Sequence, residues 1–234
     1  MLPLRKKIYE NIKKVKFYYE RRGPFFLLKK ICEIFIKINW FILVTHSLEN
    51  KMQFLKPRVD VDIKQVKEEE FVDILVSEDK DYLKRLGIKK GERSERHKME
   101  HICIAAFHKG RLCGYVWFSV GHIKKYYSGD YTITPSRTAY CFDGFILPEF
   151  RRLRITCSII SYGMNVARDC LCKKIIALVS MSNIASRKLL NKLGFNKEGS
   201  LIVMAIFKKY KIIIPIGVKR DLIYTIESLK GEGI

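Results

Sequence analysis

The chain has 234 residues, 48% of them apolar and 12% aromatic, enough for a real core and too apolar for a disordered or collagen-like chain. Lys and Arg number 45 against 24 Asp and Glu, a formal net charge of +21 that draws anionic partners from a distance: phosphorylated cofactors, acidic proteins, anionic lipid headgroups or nucleic acid. The length suits one large domain, or one ordinary domain with an appendage.

Residues 1–38 hold eleven Lys or Arg against three Glu, a net of +8. Gly23-Pro24 divides the segment, because proline opens helices and breaks their interiors. A basic helix is expected before it and a second from Pro24 to about Ile38. In the second, Lys29, Lys30, Glu33 and Lys37 share one stripe at helical spacing, and apolar residues such as Phe25, Leu28, Ile31 and Phe35 cover the rest. Two fates for that apolar face stay open: packing on the main domain, or lying on anionic lipid. Arg5, Lys6, Lys7, Lys13, Lys14 and Lys16 precede no short apolar run with a cleavage site, and no uncharged stretch approaches the roughly 18 residues of a membrane span. A cytoplasmic protein is expected, soluble or peripheral at the inner membrane face.

From Asn39 to the C terminus the pattern alternates α and β, giving a basic helical extension over 1–38 and one domain over 39–234. Trp40 to Thr45 and Val59 to Ile63 read as extended, and Glu68 to Val76 as a helix. The Lys-rich stretch 77–100 carries no strand signal. Strands are expected at His101 to Phe107 and Leu112 to Val120, joined by the hairpin His108-Lys109-Gly110-Arg111. After a loop over 121–137, a strand runs from Thr138 to Leu147 and stops at Pro148. A helix follows from Arg154 to Cys170, with Ile155, Ile159, Ile160, Met164, Val166 and Ala167 facing inward. Then come a strand at Lys174 to Met181, a short helix from Ser186 to Leu193 closed by Gly194, and strands at Leu201 to Phe207 and Ile212 to Val218.

Seven cysteines, mostly within apolar runs, read as buried thiols in a reducing compartment with no structural disulfide. Cys170 and Cys172 lack the partner spacing of a zinc site, and the five histidines have neither metal-ligand nor nucleophile-elbow spacing. No metal is expected.

The order strand, arginine-bearing turn, helix, strand, Asn, short helix and Leu-Gly-Phe resembles the cofactor half of the GNAT superfamily of acyl-CoA N-acyltransferases. Pro148, Arg151, Asn183, Ser186 and Leu193-Gly194-Phe195 carry the resemblance. It implies a mixed, mostly antiparallel central sheet flanked by helices. It also implies a donor site for acetyl-CoA or another acyl-CoA, made of Phe145, Ile146, Leu147, Arg151, Arg152, Arg154, Ile155, Thr156, Asn183 and Ser186. A strand that diverges from its neighbour leaves N–H and C=O groups free for the two amides of a pantetheine arm, and a helix N-terminus suits pyrophosphate. Two departures are plain. The family's two small residues in the turn are Arg154 and Thr156 here, whose side chains offer charged and hydroxyl donors instead. The tyrosine that protonates the departing thiolate in many members is Leu190 here.

Asp143 and Glu149 are the nearest carboxylates to serve as base, Asp143 the favoured one. Tyr162, Tyr210 and Ser186 remain as acids, with solvent as the alternative. The reaction implied is direct attack of a primary amine on the thioester in a ternary complex, without an acyl-enzyme. The donor is open between acyl-CoA and an acidic acyl carrier protein, which the positive charge also suits, and the acceptor is a small amine. A second reading stays open: a catalytically lapsed adaptor holding a membrane surface or protein partner through its basic N-terminal helices. Only charge points toward nucleic acid, with no recognition motif.

Overall fold

The computed structural model describes residues 36–50, 52–67, 70–71, 74, 82, 101–120, 137–206 and 210–218. An alternating and then continuous β-favouring run makes the first strand, β1 (Ile36–Ser47). Ile42, Leu43 and Val44 are all buried, as expected of a strand covered on both faces. The expected second helix therefore loses its end to this strand: residues 36–38 are extended, because Ile36, Ile38 and Trp40 repeat at period two. The remaining residues of both N-terminal helices lie outside those described.

The other strands are β2 (Asp62–Val66), β3 (Ile102–His108), β4 (Arg111–Val120), β5 (Thr138–Ile146), β6 (Lys174–Ser180), β7 (Asn196–Ile206) and β8 (Tyr210–Ile216). They form one sheet in the order β2-β3-β4-β5-β6-β1-β7-β8. Every pairing from β2 to β5 is antiparallel, β5 to β6 is parallel, and β6 to β1 is antiparallel again. The two helices with defined ends are α1 (Ile155–Asp169) and α2 (Ile184–Lys192). Glu70, Phe71, Ile74 and Tyr82 are also helical. Contacts divide the chain into a smaller unit, Met1–Trp40 with Ile202–Ile214, and a larger one, Phe41–Leu201 with Pro215–Ile234. In the smaller unit, Ile38, Trp40, Ile212 and Ile214 are exposed.

Most element bounds fall within two residues of expectation. The β3–β4 hairpin turns at Lys109 and Gly110, both at positive φ (49° and 78°), which is the two-residue turn that matches strand twist. The start of β7 is the larger difference. Polar Asn196 to Ser200 hid the strand, but Glu198 accepts a hydrogen bond from Thr45 Oγ1 at 3.0 Å, so a carboxylate sits in the sheet with a partner.

Within the larger unit the core is built on β4. Successive residues point to opposite faces: Phe118 meets α1, while Trp117 and Tyr115 receive Phe71, ring centroids 5.1 and 5.4 Å away. The segment 52–58 is laced to α1 and the turn before it. Asn165 exchanges two hydrogen bonds of 3.0 Å with the Met52 backbone. Ser158 Oγ donates to the Leu55 carbonyl, and Arg58 N–H donates to the Leu153 carbonyl at 2.9 Å.

Gly163 permits the close approach of α1 to the sheet, since a Cβ there would overlap the ring of Phe118, itself fully buried. Gly163→Ala should destabilise the fold by about 1–3 kcal/mol of overpacking, outweighing alanine's helix preference of about 1 kcal/mol. Urea unfolding checks this through a lowered midpoint at unchanged slope.

Candidate functional site

Four residue pairs join β5 to β6, from Thr138↔Lys174 to Cys141↔Ala177, and there the ladder ends. Both strands continue: β5 to Ile146 and β6 to Ser180. Beyond that point β5 stays with β4 as far as Gly114↔Ile146, and β6 stays with β1 as far as Phe41↔Ser180. The cause lies in β5. Tyr115 pairs with Phe145 and Trp117 with Phe142, so Asp143 and Gly144 together stand opposite Val116. Such a bulge bends the strand that carries it, and Asp143 takes the left-handed φ of 42° there.

Past the bulge, backbone direction follows from one bond. Leu147 N–H donates to the Cys113 carbonyl of β4 at 3.0 Å. Antiparallel geometry alternates inward and outward residues, so the N–H and C=O of Ile146 face away from β4, toward the side where β6 has left. Of the three expected backbone positions, Ile146 thus presents its polar groups to the opening, whereas Phe145 directs its groups, and Leu147 its N–H, to β4. Leu147's side chain is fully buried.

Pro148 then stops the strand. Pro148–Phe150 form a 3-10 turn, closed by Phe150 N–H to the Leu147 carbonyl at 2.9 Å and Arg151 N–H to the Pro148 carbonyl at 3.2 Å. Arg152 and Arg154 follow at φ 65° and 63°. Arg154 is the N-cap of α1, without a side-chain cap, and the first intrahelical bond is Ser158 N–H to its carbonyl at 3.0 Å. The N–H groups of Ile155, Thr156 and Cys157 precede that bond and point out of the helix end. No acidic residue lies in the first turn. Arg151, Arg152 and Arg154 are exposed, Thr156 is half-buried, and the Ile155 side chain anchors the turn in the core. Arg151 Nε donates to the Ile146 carbonyl at 3.3 Å, and its guanidinium lies 5.8 Å from the Phe145 ring centroid.

Two contributors escaped the sequence. Lys192, at the end of α2, bears with Arg154 on the Cys157 thiol, whose pKa burial raises and these two charges lower. Arg58 reaches the same turn through its bond to Leu153. Both are distant along the chain, and no local signal announces them.

Asn183 and Ser186 form a helix cap: Asn183 Oδ1 accepts the Ser186 N–H at 3.1 Å at the start of α2. Leu193-Gly194-Phe195 close the other end. Gly194 sits at φ 82°, with its N–H on the Asn191 carbonyl and the Phe195 N–H on the Leu190 carbonyl, both at 3.0 Å. That pair of bonds is the Schellman arrangement. Leu190 itself is buried in the core.

Asp143 is half-buried in the bulge, and Glu149 is exposed in the 3-10 turn. Tyr162 is half-buried along α1 and packs on the core. Tyr210 belongs to β8, and its side chain lies outside those described. Among the described residues no group of three His, Cys, Asp or Glu could hold a metal ion. Of the six described cysteines, all free, Cys170 is exposed and five are buried. Burial pushes the Cys141 thiol up to about 12. Burial also pushes Cys113 up to about 11, helped by the charge of Glu149 and opposed by a backbone hydrogen bond. Such thiols are poor nucleophiles.

The model of the acetyltransferase (GNAT) family matches residues 63–195, more than half of the chain and all of the strand, turn and helix just described. The chain belongs to the GNAT acetyltransferase family. Among curated proteins the sequence has no match. Solved structures similar to this GNAT chain include a conserved protein of unknown function from Staphylococcus epidermidis, 16% identical, with a TM-score of 0.49, covering 76% of this chain and 66% of that one. A Drosophila protein is 12% identical with a TM-score of 0.51, covering 76% of this chain and 56% of its own. An aminoglycoside N-acetyltransferase, AAC(6')-Iy, in complex with CoA is 20% identical with a TM-score of 0.42, covering 58% and 91%. This chain therefore spans about two thirds or less of the length of the first two.

Two expectations follow for this GNAT chain. Arg154→Gly relieves a left-handed conformation costing about 1–2 kcal/mol, against roughly 0.5–1 kcal/mol of extra freedom in the unfolded chain, so the variant should gain about 0.5–1 kcal/mol in urea unfolding. The buried thiols set a pH dependence. Above the ordinary thiol value of 9.0 the unfolded chain releases protons that the folded chain keeps, so stability falls as pH rises from 9 toward the folded values. Each thiol contributes about 1.4 kcal/mol per pH unit, and Cys141→Ala should flatten the decline between pH 9 and 11 by about that slope.

Proposed function

We propose that the chain is an N-acyltransferase that moves an acetyl or longer acyl group from acyl-CoA to the primary amine of a small molecule. The observation that carries this reading is the parting of β5 from β6 beside an uncapped helix N-terminus flanked by three exposed arginines. The backbone of Ile146 supplies one donor and one acceptor at the opening, matching an amide-bearing arm that docks as a short strand. The N–H groups of Ile155, Thr156 and Cys157, with the positive end of the helix, suit a pyrophosphate. Arg151, Arg152 and Arg154 add charge-assisted donors, and Lys192 extends the positive field along α2. An acidic carrier protein presenting the same phosphopantetheine would meet the same charges, so CoA and carrier are separate arms of the test.

A bound thioester supplies an activated acyl carbon and a thiolate leaving group. The chain's part is to hold it in line with the acceptor and to take the proton that the attacking ammonium must lose. We assign that proton to Asp143, which sits in the bulge just past the end of the β5–β6 ladder. Glu149, exposed in the next turn, is the weaker base. Solvent protonates the thiolate, an undemanding step for a thiol of pKa about 8.5. The buried, proton-retaining thiols fit direct transfer without an acyl-enzyme.

Calorimetry with acetyl-CoA, a long-chain acyl-CoA and acyl carrier protein, followed by transfer assays on a panel of primary amines, tests the reading. Uptake of none of the three overturns it. Asp143→Asn should lower kcat/KM by about a hundredfold or more, the usual worth of a general base, with donor affinity unchanged. An equal loss of donor binding would remove Asp143 from the chemistry.

A further inference from the structure

Arg151, expected at the donor site, is engaged on β5 instead. Its backbone N–H is held by the Pro148 carbonyl at 3.2 Å, so only its side chain can move. That side chain is exposed, yet it folds back along the strand. Its Nε donates to the Ile146 carbonyl at 3.3 Å, and the guanidinium lies against the Phe145 ring. The Ile146 carbonyl is the acceptor that faces the opening beyond the β5–β6 ladder. While Arg151 holds it, a docking arm's amide N–H must compete for the same oxygen.

We propose that Arg151 is a latch that couples phosphate binding to access along β5, making the site select pantetheine thioesters that carry phosphate over those that do not. A guanidinium meets phosphate oxygens through two parallel N–H bonds to an anion, and so gains a second bond and a full opposite charge that its single bond to a neutral carbonyl lacks. The start of α1, whose N-cap residue makes no side-chain bond to it, lies four residues along the chain. A phosphate held there draws the guanidinium off Ile146 and frees the carbonyl for the arm. A phosphate-free arm must displace Arg151 and gains nothing in return. Arg152 and Arg154 point outward from positive-φ positions and have no bond to β5 among the described contacts. The latch therefore belongs to Arg151. The inference rests on the donor-site reading above.

The test compares acetyl-CoA with S-acetyl-pantetheine, which lacks phosphate, by calorimetry on the full chain and on Arg151→Ala and Arg151→Lys. Thermal unfolding of each variant confirms the fold. A latch predicts effects of opposite sign: Arg151→Ala binds acetyl-CoA about tenfold more weakly and acetyl-pantetheine several-fold more tightly, in line with the loss of one charged contact and one competing donor. Arg151→Lys keeps the charge but loses Nε, so it should keep most of the acetyl-CoA affinity while also gaining for acetyl-pantetheine. If both variants leave acetyl-pantetheine unchanged or weaken it, Arg151 is a plain phosphate contact and the latch is overturned, with the donor-site reading intact. If the unaltered chain takes up neither compound, the donor-site reading itself fails.

Discussion

The site depends on one irregularity, the two residues of β5 that share a single partner on β4. Without the Asp143–Gly144 bulge, β5 would keep its register with β4 and could continue its parallel ladder with β6. Every outward-facing backbone group would then be consumed inside the sheet. With it, the strand bends after four pairs, Ile146 is left with an open edge, and Pro148 turns the chain directly into the start of α1. The strand edge left by β6 and the start of α1 thus arise within a dozen residues of each other, from a bulge and a proline.

The residues that carry the family resemblance divide into two kinds. Asn183, Ser186 and Leu193-Gly194-Phe195 work locally: they cap the two ends of α2, one by a side-chain oxygen, the other by a left-handed glycine. They fix the length of a helix whose last turn brings Lys192 toward the start of α1. The arginine turn is different, because it holds a backbone path that glycine adopts freely using arginines at φ 63° and 65°. The path is kept although the residue that suits it has gone, and the strain is offset by Ile155 and Leu147 buried on either side. What glycine would give by leaving room, this turn replaces with charge.

Much of this was legible in the sequence because it is written in short-range terms. Proline and glycine punctuation located the ends of β5 and α2, helical periodicity located α1, and a Lys-Gly pair located the hairpin. The rest depends on partners far along the chain. Glu198 reads as a loop residue until Thr45 is seen to satisfy it. Ile36 to Ile38 read as the end of a helix because Lys29, Lys30, Glu33 and Lys37 share a helical stripe, and that pattern masks the period-two repeat of Ile36, Ile38 and Trp40. Nothing in Asp143-Gly144 alone says that Val116 must face both. Lys192 and Arg58 reach the arginine turn only through the packing of α2 and of the segment beside α1.

The place of β1 has a consequence for how the chain assembles. Residues 41–47 lie against residues 174–180, so this strand has no neighbour on that side until synthesis has passed residue 180. Closing so long a loop is entropically costly and contacts of this kind slow folding. During synthesis an apolar segment containing Phe41, Ile42, Leu43 and Val44 waits with an open edge, the condition under which nascent chains stick to one another. Its yield in cells should depend on the supply of chaperones during translation more than on the strength of the finished sheet.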